Sequence, residues 1–474
     1  MPVPAFPPLP PGFLDRLSSI LGPRNLLTGG DATAPFLTDE RRLFPGAAAA
    51  VACPGSTAEV SALVRACREA GVPIVPQGGN TGLVGGASAP AGSLLVNLRR
   101  MNRIRGVDPA NATLTAEAGT VLATVQEAAR DAGRLFPLSL ASEGSAQIGG
   151  LLATNAGGIN VLRHGNMRDL TLGIEAVMPD GRVLHGLGGL RKDNTGYDLR
   201  HLLIGSEGTL AILTAAVLRL SPLPRQRVTA LVAVSGAAQA LALLDLLRDR
   251  AGEALVAFEF MVQATVAMLV EAGHGFPVDP ALPAFVLFDL TSADPEAPLA
   301  AQAEAILARA FDGGIVLDGT IGASEGQNRA MWDLRERLPE VQKHFGPSIK
   351  HDIAVAVSRI PDFLSRAGAA CAAAMPGCRI VPFGHLGDGN LHYNLSPPDG
   401  MAPADFLARQ GDINRIVHDI VHDLGGSISA EHGVGLMKRA ELARYKDPVA
   451  LDAMRAIKAA LDPANLMNPG KLLP

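Results

Sequence analysis

Apolar and polar positions run in two rhythms along this chain. At residues 56–70 the apolar positions Val60, Leu63, Val64 and Cys67 recur at helical spacing, with Thr57 available as a cap. Residues 13–21 read as an earlier short helix, 36–50 as a loop-rich approach, and 49–53 and 73–76 as short apolar strands. Residues 228–234, 257–261 and 284–290 read as further strands, and 237–247 as an Ala/Leu-rich helix. These later elements predict a second body with a different character from the first.

The strand at 73–76 runs straight into Gln77-Gly78-Gly79-Asn80-Thr81-Gly82-Leu83-Val84-Gly85-Gly86. Strand, helix, strand and glycine-rich loop is the grammar of a nucleotide-binding unit. The loop lacks the GxGxxG spacing and the following helix of a dinucleotide fingerprint, and the Lys-Ser/Thr of a P-loop. It offers backbone amides unobstructed by side chains, able to nest a diphosphate, or else it is an ordinary surface turn. Small residues return at 142–150 and at Ala153-Thr154-Asn155-Ala156-Gly157-Gly158, where a backbone or a flat ring can approach closely. A third cluster spans Lys192-Asp193-Asn194-Thr195-Gly196-Tyr197-Asp198 and is followed by 203–210. Three such clusters imply one large cofactor threaded through one domain.

Residues 381–395, VPFGHLGDGNLHYNL, carry the most chemistry. Asp388-Gly389 is a hairpin signal for a type I′ turn, which would pair Gly387 with Asn390, Leu386 with Leu391 and His385 with His392. Opposed side chains lie about 4.5–5.5 Å apart at Cβ, close enough for two imidazoles to share a metal ion. Ala430-Glu431-His432-Gly433 supplies a carboxylate and a third imidazole. Two histidines and one glutamate with an open position describe a catalytic metal site. The other reading is a hairpin whose histidines are hydrogen-bonded neighbours. His418-Asp419-Ile420-Val421-His422 imitates HExxH, but its aspartate is too short for the glutamate base and the apolar stripe beside it reads as an ordinary amphipathic helix.

With 474 residues, two or three domains are expected, and 48% hydrophobic with 18% charged residues is a globular composition. A net charge of −5 without a basic block argues against nucleic acid as a partner. Cys53, Cys67, Cys371 and Cys378 form no CxxC pair, which fits free thiols in a reducing, cytoplasmic setting. No apolar run is long enough to span a membrane, and the N-terminal stretch reads as a Pro-rich lead-in, not a signal peptide.

The runs PQGGNTGLVGG, GSAQIGGLLATNAGG, KDNTGYDLRHLLIGSEGTLAI, GHLGDGNLHYN, AEHG and NPGK together resemble the FAD-linked 2-hydroxy-acid dehydrogenases of the vanillyl-alcohol-oxidase/PCMH superfamily. KDNTGYDL and HYN favour the branch acting on D-2-hydroxyglutarate. The resemblance implies an α+β fold. Residues 1–222 would form a PCMH-type FAD-binding domain of two subdomains. Residues 223–425 would form a cap domain with a helix-covered antiparallel sheet, and 426–474 a segment returning to the FAD domain.

By the same resemblance Pro76, Gln77, Gly78, Gly79, Asn80, Thr81, Gly82 and Gly85 would lie near the FAD diphosphate. Ser139, Gly144, Ser145, Gly149, Thr154, Asn155, Gly158, Gly208, Ile212 and Asn468 would line the rest. Asn80 stands where some relatives attach FAD through a histidine, so attachment here would be non-covalent. Arg335 and Lys350 match substrate-carboxylate positions, and Asn394 would position the substrate together with His385 and His392. His385, His392 and Glu431 would hold Zn²⁺ or another divalent ion, and His432 would be the general base. The implied reaction is oxidation of a D-2-hydroxy acid such as D-2-hydroxyglutarate or D-malate to the 2-oxo acid. Electrons would pass on to an electron-transfer flavoprotein or a quinone, and a homodimer is the expected assembly. Pro339 departs from the branch, which often has a hydroxyl residue there. That keeps open a D-lactate or D-mandelate-type dehydrogenase, and a non-catalytic flavin- and zinc-binding subunit is the reading outside enzymes.

Overall fold

A computed structural model describes residues 6–474, so the first five residues of the Pro-rich lead-in lie outside the described residues. The chain divides into two compact units. One comprises the residues up to Gly158, Gly165–Leu223 and Glu431–Pro474, and the other Ile159–His164 and Pro224–Ala430.

In the first unit, helix Thr57–Ala70 follows the predicted spacing, although Ser56 is the cap, accepting from the Glu59 amide. Its Val60, Leu63, Val64 and Cys67 are buried against Ile74, Leu94 and Val96. Those residues come from a four-stranded sheet ordered Leu26–Leu27, Ala50–Ala52, Leu94–Asn97, Ile74–Gln77, the last three strands parallel. Helical crossovers let parallel strands neighbour one another, and both faces are then covered, which explains their continuous apolar runs. A second, five-stranded antiparallel sheet runs Ile104–Asp108, Thr113–Glu117, Ile212–Arg219, Thr171–Val177, Val183–Gly186.

The second unit is built on a seven-stranded antiparallel sheet. Its order is Val316–Ile321, Gln226–Val234, Ala284–Ser292, Leu255–Val262, Arg379–Gly384, Asn390–Ser396, Ile349–Ala354. Alternation along the strands sends Val228, Ala230, Val232 and Val234 to one face, where Ala240, Leu243, Leu244 and Leu247 of helix Ala237–Ala251 cover them. Fully burying each leucine contributes about 1.5–3 kcal/mol. The opposite face carries Ala257, Met261, Phe285, Leu287, Val381 and Phe383, packed against Met331, Trp332 and Leu338 of helix Glu325–His344. Among the described residues no helix is long and apolar enough to cross a membrane.

Candidate active site

Strand register decides which polar residues meet on the sheet face beneath helix Glu325–His344. His392 pairs with Asp352 on one side and Phe383 on the other, and Asn394 pairs with Lys350 and Val381. Directly opposed residues share a face, so these side chains all leave the sheet on the side of Val381 and Phe383. Leu391, Tyr393, Leu395, Ile349 and Ile353 fill the core on the other side. Glu259 enters the same polar face from strand Leu255–Val262, opposite Leu287.

The expected two-residue turn does not form. Leu386–Asp388 make a 3₁₀ turn, Gly389 follows at φ 89°, and the Asn390 amide donates to the His385 carbonyl. A four-residue loop ending in a left-handed glycine replaces the type I′ turn. Gly389 is required there, because a Cβ would sit 2.2 Å from the Val355 carbonyl oxygen. Pairing is therefore displaced by two residues, and His385 opposes Asn390. Two is the side-chain period of a strand, so the displacement leaves His385 and His392 on one face as diagonal neighbours. Their ring centroids are 5.6 Å apart.

Glu259, fully buried, joins two of the expected site residues. Its Oε1 accepts from His385 Nδ1 at 2.5 Å and its Oε2 from Arg335 Nε at 2.6 Å. Burial pushes this carboxyl up, but the Arg335 and His385 charges and hydrogen bonds outweigh it and hold the pKa down at about 2. An ionised carboxylate on Nδ1 makes that nitrogen the donor and leaves the lone pair on Nε2. Arg335 is 7% exposed, with its guanidinium 4.8 Å over the Phe383 ring. Only Nε has an acceptor among the described residues, so a bidentate grip on a carboxylate falls to the two Nη groups. The helix that carries it is pinned by Trp332 Nε1, which donates to Asp289 Oδ1 at 3.0 Å. Asn394 Nδ2 donates to Gln342 Oε1, whereas Asn394 Oδ1 is buried with no partner among the described residues.

The amide of Ala430 donates to the Asp352 carbonyl, and Glu431 and His432 follow directly. The neighbouring rings of His385 and His392 offer two imidazole ligands on this face. His418, by contrast, is buried edge-on against His351 and His422 is exposed, as expected of an amphipathic helix.

In the first unit the glycine-rich segments converge. A Cβ at Gly79 would sit 2.1 Å from the Ser145 carbonyl oxygen, and one at Gly158 2.0 Å from that of Ser139. A Cβ at Gly149 would lie 2.9 Å from Ala118 Cβ, and one at Gly208 2.4 Å from Pro76 Cγ. Gly82 and Gly144 face open space. Asn80 is left-handed at φ 58° and donates to the Thr38 carbonyl. Asn155 is left-handed too, with Oδ1 accepting the Arg168 amide, and Thr154 Oγ1 bonds Gly150 O. Ile212 is packed in the core, so only its backbone can face a cofactor. Asn468 Nδ2 donates to the carbonyls of Gly86 and Glu207. The third small-residue cluster stays outside this convergence: residues 191–199 are exposed, Tyr197 to 98%.

Residues 48–186 match the FAD binding domain family, and 223–472 match the family of FAD linked oxidases, C-terminal domain. The chain is 40% identical over 429 residues to the D-2-hydroxyglutarate dehydrogenase of Xanthomonas citri pv. viticola, covering 89% of each chain. Its identity to that of Stutzerimonas stutzeri is 36% over 463 residues, 98% of this chain and 99% of that one. The chain belongs to the FAD-linked oxidase family. It is an FAD-linked oxidoreductase. Among solved structures, p-cresol methylhydroxylase superposes with a TM-score of 0.77 at 17% identity, covering 97% of this chain and 96% of that one, a likeness of fold.

The residues present fit the cofactor this family carries. The amides of Gly79, Asn80, Thr81 and Gly82 have no acceptor among the described residues, which is a donor set for a diphosphate. Gln147 Oε1 and Asn468 Oδ1 are buried without partners among the described residues. The His385 and His392 imidazoles, the first oriented by Glu259, are donors of the kind that suit a divalent ion. Glu259 escaped the sequence reading because it sits inside the apolar run Leu255–Val262. The signal was its identity, since a glutamate in a fully covered strand needs a cationic partner.

Proposed function

We propose that this FAD-linked oxidoreductase oxidises D-2-hydroxyglutarate, or a similar D-2-hydroxy acid such as D-malate, to the 2-oxo acid. The Glu259 bridge carries this reading, because one carboxylate holds a guanidinium and a metal-suited imidazole on a single sheet face. Arg335 takes a substrate carboxylate through its Nη edge, aided by Lys350, which pairs with Asn394 across the strands. Asn394, on the same sheet face and held by its Nδ2 bond to Gln342 Oε1, positions the substrate. His385, His392 and Glu431 would hold a divalent ion, Zn²⁺ by preference, whose charge lowers the pKa of the 2-hydroxyl. His432 accepts the hydroxyl proton. Bound FAD would supply the acceptor for the hydride that leaves C2.

One residue favours a smaller substrate. Pro339 stands one helical turn after Arg335 and offers no donor to a second carboxylate. Rates on D-2-hydroxyglutarate, D-malate, D-lactate and D-mandelate with an artificial electron acceptor separate the readings. The proposal expects kcat/KM highest for one of the two diacids. Preference for D-lactate or D-mandelate would replace it by the monoacid reading.

A further inference from the structure

Glu207 follows the short helix Leu199–Leu203 in the glycine-flanked run Gly205-Ser206-Glu207-Gly208. Its backbone is left-handed, φ 51°, a region that side-chain-bearing residues avoid unless the surroundings hold them there. The surroundings do. Its amide donates to the Ala153 carbonyl at 2.8 Å and its carbonyl accepts from Asn468 Nδ2 at 2.8 Å. The side chain, on a residue 8% exposed, is equally committed. Oε1 accepts the Val434 amide at 2.8 Å and Oε2 the Gly435 amide at 2.7 Å. A carboxylate accepting two backbone amides makes strong charge-assisted hydrogen bonds. The next two amides, of Leu436 and Met437, donate to the Val84 carbonyl, so residues 434–437 are stitched down amide by amide.

Glu431 and His432 stand immediately before this stitched run. The residue between is Gly433, at φ 77°, where a Cβ would lie 2.9 Å from Glu207 Oε1. A larger residue at 433 would press on that carboxylate, and the left-handed φ there favours glycine, so Glu431 and His432 stand next to the point where Glu207 anchors the chain.

We propose that Glu207 is a positioning residue that aims Glu431 and His432 by clamping the amides of Val434 and Gly435. The assignment rests on the proposed roles of Glu431 as a metal ligand and His432 as the base. Misplacing a reacting group by about 1 Å costs roughly 100-fold in rate, and loss of the groups that orient metal ligands costs roughly 10–100-fold in affinity.

The test compares FAD-loaded wild type with Glu207→Gln, Glu207→Ala and Gly433→Ala. It measures bound FAD per chain, Zn²⁺ affinity by chelator competition, and kcat per bound FAD with its pH profile. Glu207→Gln keeps one acceptor and presents an NH₂ to the second amide. The expected result is near-normal FAD content, Zn²⁺ affinity lowered roughly 10–100-fold, and kcat per bound FAD lowered about as much, with Gln milder than Ala. Gly433→Ala crowds the same carboxylate from the other side and should match Glu207→Gln. If Glu207→Ala fails to fold, the other two variants decide. Zn²⁺ affinity and kcat per bound FAD within about twofold of wild type in the folded variants would overturn the proposal, as would losses that only track lost FAD. A wild type that binds Zn²⁺ but oxidises no hydroxy acid would overturn the functional reading instead, and the affinity comparison would still judge Glu207.

Discussion

Replacing Glu259 by glutamine isolates what the bridging carboxylate does. The side chain keeps its size and one acceptor but loses the charge that faces Arg335 and His385. With its pKa near 2 against an ordinary 4.5, the carboxylate contributes stability that is complete above the ordinary range and lost as pH falls through about 2. Those 2.5 units correspond to roughly 3 kcal/mol at neutral pH. The same size follows independently, since removing one partner of a buried ion pair costs about 3–5 kcal/mol. At roughly 2–4 °C per kcal/mol, the melting transition of the second unit should fall about 6–20 °C at pH 7. Below pH 4 the gap between variant and wild type should narrow. Adding Arg335→Met should return much of the stability, because no guanidinium is then left buried without its counter-charge. It should not restore Zn²⁺ affinity, expected to be lower by roughly 10–100-fold, because His385 Nδ1 still lacks its carboxylate. The assays are calorimetry of the metal-free protein and chelator competition for Zn²⁺. A loss under about 1 kcal/mol, or stability and metal affinity rescued together by Arg335→Met, would refute the reasoning.

Three other perturbations follow from the same geometry. His432→Ala should keep FAD and fold while lowering kcat by roughly 10²–10⁴-fold; near-normal turnover would show that another group takes the proton. Gly158→Ala forces a Cβ to 2.0 Å from the Ser139 carbonyl oxygen and should cost about 1–3 kcal/mol and weaken FAD retention, read by calorimetry and flavin absorbance. Lys471 is 2% exposed, its Nζ has no partner among the described residues, and burial together with the Arg439 charge pushes its pKa down to about 8. The folded state pays for that charge below about 8 and is relieved as pH rises toward 10.5. FAD-free Lys471→Met should therefore be more stable than wild type by up to about 3 kcal/mol at pH 7, with the advantage gone near pH 10.5.

Much of the architecture was legible because it depends on local periodicity. The stripe Val60, Leu63, Val64, Cys67 and the alternation at 228–234 each name one element and its buried face. The turn at 386–389 was misread because Asp-Gly signals the two-residue loop, whereas here glycine answers to the approach of Val355 O. The error left the face of both histidines intact only because it was two residues and not one. Glu259 and Glu207 were invisible for a different reason. Each acquires its role from partners 76 to 228 positions away, which no local pattern encodes. The cluster at 192–198 misled in the opposite sense, since its small polar residues lie in the open, Asp193 holding Thr195 and Asp198 capping Leu199–Leu203.

The central claim is that this flavoprotein removes a hydride from a D-2-hydroxy acid with the help of a metal ion at His385, His392 and Glu431. Anaerobic mixing of the oxidised protein with D-2-hydroxyglutarate, followed by flavin absorbance before and after EDTA, tests it most directly. The account predicts bleaching that EDTA abolishes and Zn²⁺ restores. Bleaching indifferent to EDTA would contradict the metal assignment and make His385 and His392 direct substrate contacts; no bleaching by this or any related D-hydroxy acid would contradict the proposed reaction itself.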